Sequence, residues 1–227
     1  MDLEIEDQKD GVHLGEYIYQ TIKENIVNLN IKPGNRISEK EISNLLNVSR
    51  TPVREAFIKL SKEGLLYVLP QRGTYISYID LEKVEETRFI RESLERSVIK
   101  LAAENFPSEL MTELEKNLEN QKEYIKEKKY AKCLELDEEF HKTIFQGCNK
   151  VRVWSLIEQI NAQYKRIRLL SFFVDINWNK AIKQHEEIIR AIKEKNMVKA
   201  DNIITIHLEK LVFEQIELKE KYSEYFK

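Results

Sequence analysis

The chain has 227 residues, a formal net charge of −2, 33% charged residues and a mean hydropathy of −0.51. No apolar run approaches the roughly 20 residues needed to cross a bilayer, and residues 1–10 carry five acids against one lysine, which argues against a membrane span or a secretory signal. Two cysteines, Cys133 and Cys148, are too few for a disulfide framework or a cysteine-based zinc finger, so a cytoplasmic protein of one large or two modest domains is expected.

The near-neutral total hides an uneven distribution. After the acidic segment 1–12, residues 11–78 hold nine Lys/Arg against six Asp/Glu, whereas residues 79–227 hold 27 against 28. Five of six glycines and three of four prolines also fall before residue 75, and the remainder is rich in Leu, Ile, Glu and Lys. A small mixed domain over 13–79 followed by an almost wholly helical domain over 80–222 is the organisation this implies.

In chain order, Leu14 to Leu29 reads as a helix with Ile18, Ile22 and Ile26 along one face, broken by Pro33-Gly34. Ser38-Glu39-Lys40-Glu41 fits a capping box opening a short helix, and Asn47-Val48 turns the chain. Ser49 or Thr51 then caps a helix that ends at Gly64, with Pro52 in its first turn. Leu65–Leu69 and Thr74–Ile79 flank Pro70-Gln71-Arg72-Gly73 as a β-hairpin with a basic tip. This is the pattern of a winged helix-turn-helix, whose second helix enters the major groove by its N-terminal turns. Those turns carry Ser49, Arg50, Thr51 and Arg54, donors suited to guanine edges and phosphates. Lys40, Arg36 and the wing residues Arg72 and Gly73 would reach the backbone or minor groove.

Three of the four histidines lie in the helical domain, each in an apolar stripe. Leu134, Asp137, His141 and Ile144 share one face; Ala181, His185, Ile188 and Ile192 share another; Ala200, Ile204, His207 and Leu211 form a third. His13 reads as ordinary surface, and Glu138 falls on a different face from Asp137. Three imidazoles and one carboxylate suit a divalent transition metal, zinc first, with nickel, copper or manganese as alternatives. Taken alone, the same stripes also fit histidines packed in a core. On the preceding helix Arg91 aligns with Val84, Glu95, Val98 and Ala102, with Arg88 one turn back. Arg91 either braces the bundle through Glu95 or clamps a carboxylate ligand. Asn161, Arg166 and Arg168, on a long helix after Gly147, are weaker pocket candidates, and most of those charges are expected in solvent.

The run IKPGNRISEKEISNLLNVSRTPVREAFIKLSKEGLLYVLPQRGTYIS resembles the DNA-binding domain of the GntR family of bacterial transcriptional regulators. The resemblance implies DNA contacts from Lys40, Ser49, Arg50, Thr51, Arg54, Arg72 and Gly73. The later domain resembles the FCD type of effector domain of the FadR-like branch, an antiparallel all-α helical bundle. It does so through Asp137-x-x-x-His141, His185 and His207, 22 residues further on, and through the Arg91-Glu92-Ser93-Leu94-Glu95 segment. The resemblance implies metal ligation by Asp137, His141, His185 and His207 and an organic-acid effector; Arg91, with Arg88 and Asn161 as further candidates, is expected to bind it. The expected protein is a mainly α, homodimeric repressor, not an enzyme, that binds a palindromic double-stranded DNA operator and answers to a small carboxylate, with no membrane partner. The alternatives are a metal-dependent enzyme fused to a DNA-binding head and a sensor of the metal itself.

Overall fold

A computed structural model describes residues 3–5, 7, 8, 11–172 and 178–227, the side chains of 210–214 excepted. Parts of the acidic segment 1–12, and Leu211 of the third stripe, lie outside the described residues. The described chain divides into two compact units, Met1–Asp80 with Tyr222–Lys227, and Leu81–Lys221.

In the first unit, α1 (Leu14–Val27) buries Ile18, Ile22 and Ile26 completely, and the chain leaves the helix through Leu29 in the left-handed region at φ 59°. The helix thus stops two residues short of the expected Leu29. Strand β1 (Arg36–Ile37) follows, then α2 (Glu39–Leu45) and α3 (Arg50–Lys62). Ser38 caps α2, accepting from the Glu41 amide at 3.2 Å and donating to the Glu41 carboxylate at 2.8 Å. Asn47, at φ 52°, makes the turn between α2 and α3. Strands β2 (Leu66–Leu69) and β3 (Gly73–Ile76) pair antiparallel with Leu69 opposite Gly73, and β1 adds to the far edge of β3, giving the order β1-β3-β2. The hairpin is therefore shorter than expected at its second strand. The third strand went unpredicted because two residues carry no alternation to detect. Ile79, past the sheet, bridges to Phe226.

The second unit is helical: α4 (Leu81–Glu104), α5 (Ser108–Lys126), α6 (Tyr130–Gly147), α7 (Val151–Ile160), α8 (Ala162–Phe172), α9 (Trp178–Lys193) and α10 (Met197–Lys221). Its core gathers Val98, Ile99, Leu114, Phe140, Trp154 and Ile188 with their buried neighbours. The single helix expected after Gly147 is two helices, α7 and α8, separated at Asn161. At the break the Ile160 carbonyl accepts from the Thr87 hydroxyl of α4 at 3.3 Å, and the Asn161 side chain turns inward, fully buried.

Gly147 closes α6 against the ring of Phe106, where an added Cβ would stand 2.1 Å from the nearest ring carbon. Gly147→Ala is expected to cost about 1–3 kcal/mol by overpacking, seen as a lower urea midpoint. In a Phe106→Ala background most of that cost should vanish, because the two positions share one space.

Candidate functional site

The first unit presents a face of exposed donors. Val53, Ala56, Phe57 and Leu60 bury one side of α3, which turns Arg50, Thr51 and Arg54 outward. Ser49 occupies the N-cap of α3 exposed and without a side-chain cap bond, so its hydroxyl is open to a phosphate at the positive end of the helix. Lys40 is exposed on α2. Arg54 forks onto Glu39 at 3.1–3.3 Å, an exposed pair of small energetic weight that DNA can exchange. Arg36 belongs to the wing: its Nε would lie 2.7 Å from a Cβ at Gly73, whose φ of +120° also demands glycine. Arg72 is exposed in the turn between β2 and β3, where Gln71 takes φ 61°.

In the second unit the stripes converge. Asp137 and His141 from α6, His185 from α9 and His207 from α10 are all buried, and each offers a ligand atom within 4.8 Å of the other three. Helical spacing explains the first pair, since i and i+4 stand on neighbouring turns of one face. Every imidazole is oriented through its Nδ1. His141 Nδ1 meets Glu95 at 2.6 Å, His185 Nδ1 meets Gln121 Oε1 at 3.0 Å, and His207 Nδ1 meets Gln184 Oε1 at 3.0 Å. An acceptor on Nδ1 fixes the tautomer that leaves Nε2 with its lone pair. Nε2 of His141 and of His185 is buried without a hydrogen-bond partner. His185 Nε2 stands 3.5 Å and His141 Nε2 3.9 Å from the Asp137 carboxylate. Three imidazoles and a carboxylate in this arrangement fit a divalent transition metal.

Electrostatics favour neutral imidazoles at His185 and His207. Burial, only partly opposed by Asp137, pushes His185 down to about 3, and burial beside two other histidines takes His207 well below its ordinary value. Burial works to raise the Asp137 carboxyl, but the Arg168 guanidinium outweighs it and the group is held well below the carboxylate range. Arg168 donates to both Asp137 oxygens, at 2.6 and 2.9 Å.

A second buried network adjoins the first. Arg91 is fully buried, donating from Nε to Glu95 and from Nη1 to Glu138, each at 2.7 Å, while its Nη2 has no hydrogen-bond partner. Asn161 donates to Glu138 and lies 3.5 Å from Arg91 Nη1 through its Oδ1. Glu95 therefore joins Arg91 to His141, with its carboxyl lowered to about 2: burial raises it, and His141 and Arg91 together overcome that. Arg88 is not brought to this network; it is tied along its own helix to Glu85 and Glu92. The expectation that the charges of Arg166 and Arg168 sit in solvent is wrong, since both are buried, as is the pocket candidate Asn161, on packed faces of the broken helix.

Residue reasoning missed Glu138, Gln121 and Gln184 as partners of the site. Gln121 carried a signal, since it continues the buried Leu114–Leu118 face of α5. Glu138 and Gln184 sit beside site residues in sequence, with no periodicity to mark them as buried.

Comparison with known proteins adds an independent line. Residues 14–76 match the model for bacterial regulatory proteins of the gntR family, and residues 86–210 match the FCD domain. The HTH-type transcriptional repressor RspR of Escherichia coli K12 is 33% identical over 213 residues, covering 94% of this chain and 93% of that protein. The Nta operon transcriptional regulator of Aminobacter aminovorans is 30% identical over 161 residues, covering 71% and 73% of the two chains. Among solved structures, E. coli McbR/YncC superposes with a TM-score of 0.77 at 22% identity, over 93% of this chain and 99% of that one.

The buried histidines set a pH dependence for metal-free protein. Unfolded histidine takes up a proton below about 6.5, whereas folded His185 resists protonation down to about 3, so the unfolded state binds more protons in that window. Stability in a chelator should therefore fall as pH drops from 7 to 5, by up to about 1.4 kcal/mol per pH unit for each such histidine. Thermal melts across that range check this, and His185→Gln should flatten the slope.

Proposed function

Because the chain belongs to the GntR family of bacterial regulatory proteins and carries an FCD domain, we propose that this DNA-binding transcriptional regulator is a homodimeric repressor whose hold on a palindromic operator answers to a small carboxylate at a metal centre. The family is one of transcription regulators, so the enzyme reading falls away. The observation that carries the rest is the meeting of Asp137, His141, His185 and His207, with each Nδ1 held by Glu95, Gln121 or Gln184. Burying these groups in a packed bundle is costly unless a shared partner compensates them.

On this reading the four side chains hold zinc, or else nickel, copper or manganese. The bound ion would offer an open position to a carboxylate oxygen as a Lewis acid. Arg91, through its unpartnered Nη2, and Asn161 beside it supply the directional donors for the rest of the anion. Arg88 is left out, being satisfied on its own helix. The Arg91–Glu95–His141 chain ties the ligand to α4, the helix that follows directly on the DNA-binding unit, and so couples effector binding to the DNA-binding heads.

DNA recognition falls to Arg50 and Arg54 for bases, and to Arg36, Lys40, Ser49, Thr51, Arg72 and Gly73 for the backbone. Exposed Phe89, Ile90 and Leu101 on α4, and Leu156 and Ile160 on the contacting α7, support pairing of two chains through their helical units.

Two measurements test this. Arg50→Ala should weaken binding to DNA fragments selected by the wild-type protein by about 1–3 kcal/mol, read by fluorescence anisotropy, with the fold unchanged by circular dichroism. Retained affinity and selectivity would remove α3 as the reading helix. Metal analysis of purified protein should give about one ion per chain, lost in Asp137→Ala. An absence of metal in both would reduce the cluster to packing and leave the DNA-binding role in place.

A further inference from the structure

Asp137 is the only anionic group among the four converging donors, and the structure spends both of its oxygens on Arg168. The guanidinium that does this is nearly as buried as the carboxylate, with 8% of its side chain exposed, and lies over the ring of Trp178 at 4.9 Å. Asp137, Glu95 and Glu138 are three buried carboxylates, and Arg91, Arg166 and Arg168 are three buried guanidiniums.

We propose that Arg168 is the cation that stands in for the metal at Asp137, competing with it for the carboxylate and so setting the affinity of the site. The proposal rests on reading the cluster as a metal centre, and deepens it. In metal-free protein a buried carboxylate without a counter-charge would be strongly destabilising, and Arg168 removes that cost by a two-point charged hydrogen bond. A dication drawn to the same carboxylate meets a fixed positive charge in a low-dielectric setting, where like charges repel far more than in water. Metal binding therefore requires Arg168 to loosen its fork. The guanidinium set free is a buried donor beside the metal position, of the kind a carboxylate ligand recognises.

The other role open to a residue in this position is to orient Asp137 for ligation, and the two roles predict opposite signs. If Arg168 competes, Arg168→Met binds zinc about tenfold or more tighter than wild type, read by competition with a chromogenic chelator. The same variant has a lower melting temperature than wild type without metal, and zinc restores most of the difference. If Arg168 orients, zinc binding weakens and the stability deficit persists with metal; that result, or unchanged affinity, overturns the proposal. Should the Met variant fail to fold, Arg168→Lys carries the same test, because an ammonium cannot grip both oxygens and must also tighten zinc binding relative to wild type. Wild-type protein that binds no zinc, nickel or copper would overturn the metal-centre reading and this proposal together. A wild type that binds metal, with variants that bind it more weakly, overturns this proposal alone.

Discussion

The helical unit is organised around the compensation of charge in a dry interior. Asp137 cannot be ionised in the middle of a helical bundle unless something positive meets it, and the Arg168 fork does so at both oxygens. The same demand is met a few residues away by Arg91, shared between Glu95 and Glu138. Each pair joins different helices: α6 to α8 in the first case, α4 to α6 in the second. The register of the helices is thus set by polar groups that tolerate no slippage, while the apolar core around Phe140 and Trp154 supplies most of the burial.

The break between α7 and α8 belongs to that organisation. A continuous helix would carry the 161 side chain past the bundle, whereas the interruption turns Asn161 inward to Glu138 and frees the Ile160 carbonyl for Thr87. The Thr87 hydroxyl satisfies one carbonyl that the break leaves at the end of α7. What it gains is a buried amide beside Arg91, whose remaining nitrogen has no protein partner.

The DNA-binding unit is built on the opposite principle. Its donors lie on the surface, where Arg50, Arg54, Lys40 and Arg72 are exposed. The fold beneath has only to hold α3 and the wing in place, through a small apolar core including Ile18, Ile22, Ile42 and Val53.

Much of this was legible in the residues. The glycine and proline distribution, the capping box at Ser38 and the turn residues dictate a winged helix-turn-helix followed by helices, and period-3.6 stripes place Asp137, His141, His185 and His207 on buried faces. These features are local, or repeat along one helix, so one chain read from end to end contains them. Which helix faces which is a matter of packing, and only the tertiary structure decided it. It set Gln121 and Gln184 against imidazoles, Glu138 against Arg91, and Arg168 against Asp137, and it put Arg36 on the wing. It also turned two charged side chains expected in solvent, Arg166 and Arg168, into buried ones. A charged residue on a helix reads as solvated until its countercharge is found, and that countercharge lies 31 residues away for Arg168, while Arg91 adds to its near partner Glu95 a second one 47 residues away. Periodicity has no memory over such distances, whereas the cost of burying an unpaired charge enforces the pairing once the helices meet.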